Sequence, residues 1–182
     1  MSGRQADFIG EIPQNYDSGL GPVLFAGYAV DMARRAAVSG GTLAHVLETA
    51  AGSGILTRAL RDALPARAHL TATDLNEPML DVARTKFRGE EDMVFQLADA
   101  MALQFPDGSF DTVVCQFGVM FYPDKNQGYR KAHRVLVLAA VISSACGIHT
   151  VTIPLAGLHM KYSAVSSRLI RHPSVRCRSA IT

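Results

Sequence analysis

Residues 46–54 read VLETAAGSG, and residues 55–64 continue as ILTRALRDAL before Pro65. A short apolar run ends in an acid at Glu48, small residues follow as far as Gly54, and an amphipathic run comes next. That order is strand, tight turn, helix. Small side chains let a backbone come close to a ligand, and the first N–H groups of the helix have no partner within it. Gly52 and Gly54 can take backbone angles closed to larger residues. Taken by itself, the turn is equally well explained as a tight connection with no ligand.

Working outward, residues 22–39 read as a helix stopped by Gly40-Gly41, 69–73 (HLTAT) as a strand ending in Asp74, and 78–87 as a helix with Pro78 at a permitted early position. Residues 94–97 and 110–115 (FDTVVC) are two further strands. Strands alternating with helices predict βαβ units and a parallel sheet covered on both faces. Asp74 lies 20 residues beyond Gly54, where a carboxylate can accept from both hydroxyls of a ribose. It could equally cap the helix that follows. Asp99 follows the third strand, so it falls at the same edge and could accept from an exocyclic amine such as that of adenine. A solvated loop aspartate is the plainer alternative. Gln116-Phe117-Gly118-Val119-Met120 follow the fourth strand and face either the same crevice or, as apolar residues more often do, the core.

The 182 residues are 48% hydrophobic, 19% charged and 7% aromatic. These values exclude a disordered, collagen-like or disulfide-framework chain and fit one domain with a core. The net charge of +2 points to no polyanion partner, so no nucleic acid is expected. Cys115, Cys146 and Cys177 match no metal or disulfide spacing, which predicts a reduced, cytoplasmic chain with no metal site. The N-terminal stretch has no apolar core of the signal-peptide kind. Residues 135–160 carry no formal charge, but Ser143, Ser144, His149, Thr150, Thr152 and Pro154 argue against a membrane span.

The ordered motifs VLETAAGSGILTRAL, TATDLNEPMLDVARTK and LADAMALQFPDGSFDTVVCQFGVMFYPD resemble the class I S-adenosylmethionine-dependent methyltransferases. Within that class the chain is most similar to small-molecule enzymes of the quinone-biosynthesis C-methyltransferase kind, over roughly residues 8–136. The resemblance implies a Rossmann-like three-layer α/β sandwich and S-adenosyl-L-methionine as cofactor. It implies in-line methyl transfer to a small-molecule acceptor, in which the protein mainly aligns and desolvates. It places Glu48 beside the methionine moiety, Ala50, Gly52 and Gly54 in the backbone turn, and Asp74 on the ribose hydroxyls. Leu75 and Met79 lie beside the adenine, Asp99 and Ala100 at its edge, and Gln116 and Phe117 at the methionine end. Tyr28 closes over the cofactor. Ala50 stands where the pattern has its first glycine. No general base stands out, since His45, His69 and His133 read as structural or exposed. Two other classes remain open. In an NAD(P)-binding oxidoreductase the turn would want a small residue where Thr57 stands. The other is a degenerate cofactor-binding protein without catalysis.

The resemblance stops at Leu136. Members of this group continue with a basic residue, Pro-Gly-Gly and a fifth strand; here residues 137–161 read VLAAVISSACGIHTVTIPLAGLHMK. A family-like continuation opening on Arg-Pro-Gly-Gly can be encoded so that deleting its first base yields every residue from Val137 through Lys161. Charge changes at the same point. Residues 1–136 hold 13 Lys/Arg and 16 Asp/Glu, a net of −3, whereas 137–182 hold 5 Lys/Arg and no acid, a net of +5. The expected organisation is therefore a helical cap at 1–40, an incomplete cofactor-binding core at 41–136 and a poorly ordered, out-of-frame tail at 137–182. The sheet would be truncated after the fourth strand, with that strand left as an unpaired edge. Sequencing the coding DNA around the codons for residues 134–140 is expected to show a second frame encoding Pro-Gly-Gly. A gene with no such frame removes the explanation.

Overall fold

The structure is a computed structural model and describes residues 15–38, 43–89, 91–146 and 149–154. A π-helical segment, Tyr16–Phe25, runs into helix α1 (Ala26–Val38). Then follow β1 (His45–Thr49), α2 (Ile55–Ala63), β2 (His69–Asp74), α3 (Glu77–Arg84), β3 (Met93–Leu97) and β4 (Phe110–Gln116). A 3-10 turn (Gly118–Phe121), α4 (Lys125–Val135), β5 (Leu136–Cys146) and β6 (His149–Pro154) complete the described chain. None of the helices among the described residues is long and apolar enough to cross a membrane.

One sheet has the order β3-β2-β1-β4-β5-β6. Neighbours from β3 to β5 are parallel, and β6 is antiparallel to β5. The period-2 alternation of a strand sends successive residues to opposite faces. Val46 enters a core cluster with Met32 and Ala33 of α1 and Leu56 and Leu60 of α2. Leu47 enters a second cluster with Val113 of β4 and Ala132 and Val135 of α4. Both faces of β1 are thus buried, as the βαβ reading requires. From β1 the chain builds outward through β2 and β3, then crosses to β4 on the other side. The reversal leaves a crevice at the carboxyl ends of β1 and β4, the place where open α/β sheets bind ligands.

Two polar ties hold this frame. Asp111 Oδ2 accepts from the N–H groups of Ala44 (2.7 Å) and His45 (2.9 Å), fixing the start of β1 against β4. The nearly buried Arg61 donates to the carbonyls of Ala68 (2.6 Å), Asp92 (3.1 Å) and Pro65 (2.5 Å), joining the end of α2 to the entries of β2 and β3.

The expected α/β architecture with a mostly parallel sheet is present, but its end after the fourth strand is corrected. β4 is not an edge: Thr112 to Gln116 pair with Val141 to Ala145 of β5, after a register shift between Phe110 and Thr112. The physical reason is compositional. LVLAAVISSAC is uncharged, apolar and rich in β-branched and small residues, which is what an inner parallel strand needs whatever the origin of the string. Of the tail expected to be poorly ordered, residues 147–148 and 155–182 lie outside the described residues.

Gly54 begins α2 at φ +81°, and a Cβ built there would lie 2.7 Å from the Ala83 Cβ of α3. Gly54→Ala is expected to lower the urea-unfolding free energy by about 3 kcal/mol, combining overpacking with a left-handed backbone. An unchanged midpoint would show that α2 and α3 can separate freely.

Candidate functional site

The turn after β1 is built from positive φ angles at Ala50 (+54°), Gly52 (+57°) and Gly54 (+81°). The two glycines serve different ends. A Cβ on Gly54 would strike α3, whereas a Cβ on Gly52 would meet no atom within 4 Å. Gly54 therefore permits helix packing, and Gly52 leaves open space above the backbone. Ala50 carries a methyl group into a conformation that costs roughly 1–2 kcal/mol for a non-glycine residue. The methyl finds room because its neighbour is Gly118, where a Cβ would overlap it. The sequence reading noted Ala50 and placed Gly118 in the run after the fourth strand, but their pairing across the crevice carries no mark in the sequence.

Asp74, the last residue of β2, is 7% exposed. Its Oδ2 accepts from the Gly52 N–H at 2.8 Å. Its Oδ1 accepts from the Asn76 N–H at 2.8 Å and from Asn76 Nδ2 at 3.2 Å. The cap position of α3 belongs to Asn76, whose side chain makes no cap hydrogen bond. Asp74 thus braces the glycine turn with one oxygen and the cap residue of α3 with the other, without itself occupying the cap position. Beyond it, Ala98 N–H donates to the Asp74 carbonyl at 2.9 Å, bringing the chain after β3 alongside. There Asp99 Oδ1 accepts from the Met101 N–H at 2.8 Å, an Asx-type turn, with Ala100 at its apex. Leu75 is exposed and Met79 is buried in α3.

A small cavity of about 60 Å³ opens between the two loops, lined by Phe25, Glu48, Ala50–Ser53, Ile55, Leu56, Gln116 and Phe117. Of the residues singled out in the sequence, Glu48, Ala50, Gly52, Gln116 and Phe117 line it. Asp74, Leu75, Met79, Asp99 and Ala100 lie along the sheet edge beyond it, and Gly54 lies under the turn. Tyr28 stands behind Phe117, edge-on at 5.5 Å between ring centroids. Phe25 also packs on Phe117, at 5.4 Å. Phe25 and Ser53 were not anticipated; nothing local marks a phenylalanine on a preceding segment as a wall of this crevice.

The cavity floor is unusual in polarity. Glu48 is 1% exposed, and neither its Oε2 nor Gln116 Oε1 has a hydrogen-bond partner among the described residues. Gln116 Nε2 is engaged, donating to the Phe25 carbonyl at 3.0 Å. Two oxygen atoms in one cavity therefore lack a hydrogen-bond partner among the described residues. Burial lifts the Glu48 carboxyl from its ordinary 4.5 to about 8; the Thr57 hydroxyl works against the rise and the Asp74 charge adds to it. No group of acids, histidines and cysteines able to hold a metal ion occurs among the described residues.

The folded protein holds a proton on Glu48 over a range in which the unfolded chain has released it. The stability this confers is complete below about pH 4.5 and is lost as pH rises through about 8. Urea titrations at about pH 6 and about pH 9 are expected to differ by roughly 2–3 kcal/mol from this group. Glu48→Gln should flatten that dependence; a variant with the slope of the parent chain would place the titration elsewhere.

Comparison with known proteins agrees with this geometry. A curated demethylmenaquinone methyltransferase of Deinococcus radiodurans is 35% identical over 135 residues, an alignment covering 71% of this chain and 54% of the relative. The ubiquinone/menaquinone biosynthesis C-methyltransferase UbiE of Shewanella frigidimarina is 36% identical over 94 residues, covering 50% of this chain and 38% of the relative. The chain spans about half the length, or less, of the curated relatives it matches. Among solved structures, a Methanococcus maripaludis protein assigned as an S-adenosyl-L-methionine-dependent methyltransferase superposes with a TM-score of 0.68. It is 20% identical, and the match covers 81% of this chain and 68% of that one. That likeness speaks for the fold. The family model described as "Methyltransferase domain" matches residues 46–137, half of the chain, from β1 to the start of β5. With its glycine turn, its acid at the end of β2 and its crevice at the switch point, the chain belongs to the methyltransferase-domain family.

Proposed function

We propose that the chain is an S-adenosylmethionine-dependent methyltransferase that transfers a methyl group directly to a small molecule. The observation that carries this reading is the pair of unpartnered buried acceptors, Glu48 Oε2 and Gln116 Oε1, on the floor of one cavity. A ligand that fills it has to bring N–H donors, and a cation beside Glu48 favours the ionised carboxylate over the protonated form that burial otherwise favours. The α-ammonium of S-adenosylmethionine answers both demands, so the residues present fit the cofactor. Glu48 and Gln116 would hold that ammonium, and Gly52, with open space above it, would let the cofactor lie against the turn. Asp74 Oδ2 accepts one bond, from Gly52, and keeps capacity for a ribose hydroxyl. Leu75 and Met79 would flank the adenine, with Asp99 and Ala100 at its edge. The cavity is smaller than the roughly 300–1,000 Å³ of a whole small-molecule site. It therefore takes the methionine end, and the nucleoside extends along the β2 and β3 edge.

When bound, the cofactor supplies a methyl group already activated on a sulfonium sulfur. The work left to the side chains is alignment and exclusion of water. Phe25 and Phe117 supply an apolar wall at the methionine end, and Tyr28 backs Phe117. An oxidoreductase is not favoured. At the position where a dinucleotide turn wants a small residue stands Thr57, fully buried beside Glu48. The proposed site lies wholly before residue 137, where the family match ends, so an out-of-frame tail leaves cofactor binding intact while impairing turnover. The acceptor is read as a small molecule, not a nucleic acid, in a cytoplasmic setting.

Calorimetry is expected to show binding of S-adenosylmethionine and none of NAD. Asp74→Ala and Glu48→Gln should each weaken it by about tenfold or more, the usual effect of losing a charged hydrogen-bond partner. Equal heats for both nucleotides would reject the reading. Binding without methyl transfer to any quinol or phenol would mark a degenerate form.

A further inference from the structure

The segment Tyr16–Phe25 is tied across the site at points on separate elements. At its far end, Gln116 Nε2 donates to the Phe25 carbonyl and the Phe25 ring forms part of the cavity wall. At its near end, Asp17 Oδ1 accepts from Ser53 Oγ at 2.7 Å, and the Lys86 ammonium closes on the same oxygen. Ser53 is the middle residue of the Gly52-Ser53-Gly54 turn and is 2% exposed. The Asp17 and Lys86 side chains retain only 24% and 22% exposure. A partly desolvated ion pair with a hydroxyl as third member is a specific tie rather than a screened surface contact. It bridges residues 36 and 69 positions apart in sequence, so it fixes the segment from outside. The segment itself closes on a wide helical turn, with the Ala26 N–H donating to the Gly21 carbonyl, a geometry that concentrates at functional sites.

We propose that Asp17 is a positioning residue for the glycine turn and the latch of a strap, residues 16–25, so that cofactor enters and leaves when Asp17 releases Ser53. This rests on the reading of the cavity as the S-adenosylmethionine site. Asp17 touches neither the cavity nor the reacting atoms; it acts through Ser53 and Phe25. Releasing it frees the near end of the strap, while the far end keeps the Gln116 bond to the Phe25 carbonyl and the packing of Phe25 on Phe117.

Asp17→Ala in the full chain tests the latch in two ways. Hydrogen exchange of the free protein should quicken by about fivefold or more in residues 18–25, with β1 and β2 unchanged. Stopped-flow mixing with S-adenosylmethionine should show association and dissociation both quickened by about fivefold or more, so that Kd moves less than either rate. Lys86→Met, which leaves the Ser53 tie in place, should move both readouts the same way by less, and it serves alone if Asp17→Ala does not fold. Quicker exchange with unchanged rates would reduce Asp17 to a structural tie and overturn the proposal, as would unchanged exchange. If the parent chain takes up no S-adenosylmethionine, the methyltransferase reading fails. Exchange then still decides whether Asp17 holds the strap.

Discussion

One hydrogen bond, from the Gly52 N–H to Asp74 Oδ2, sets the geometry on which the site depends. It pins the turn after β1 to the tip of β2, and the other Asp74 oxygen is anchored to Asn76. With the turn fixed, Glu48 is held at the end of β1 with its carboxylate under the turn, and α2 starts where Gly54 can pass Ala83. The open face of Gly52 and the buried floor at Glu48 thus follow from one acid on a neighbouring strand. The cost is desolvation: Glu48 is buried under the turn, and burial first, with the Asp74 charge adding to it, leaves it a stronger holder of its proton than an acid in water.

The parts of this arrangement that were legible in the sequence are those in which a local pattern and a long-range demand coincide. A glycine turn between a strand and an amphipathic helix, and an acid at the next strand end, announce themselves by spacing. Asp74 was read correctly as to place, but its brace to Gly52 was hidden, because it depends on which backbone amide comes within reach. Phe25 and Asp17 carry no local mark at all, and Ser53, though inside the glycine turn, carries none of its tie to Asp17. They matter because the first helix crosses the crevice, and packing against α2 decides that, not the order of residues in 16–25. Gly118 and Ala50 illuminate each other only once β1 and β4 are neighbours.

The fifth strand departs from the sequence expectation for an instructive reason. Departure from a family pattern does not entail departure from the fold, because an inner parallel strand asks only for an uncharged, β-branched or small-residue run of adequate length. Residues 136–146 meet that demand, and β6 returns antiparallel beside them. The register shifts between Phe110, which pairs with Leu136, and Thr112, which pairs with Val141.

The contact of Ala50 with Gly118 has a historical meaning. A methyl group at position 50 is admissible only while position 118 carries none, because a Cβ there would occupy the same space. The two loops therefore cannot diverge independently. A lineage that had acquired a side chain at 118 would find alanine at 50 closed to it. One that holds alanine at 50 must revert it to glycine, and move Cys115 Sγ, 2.9 Å from the same Cβ, before 118 can vary. Which substitution is neutral depends on which came first, so the crevice records an order of events as well as a shape.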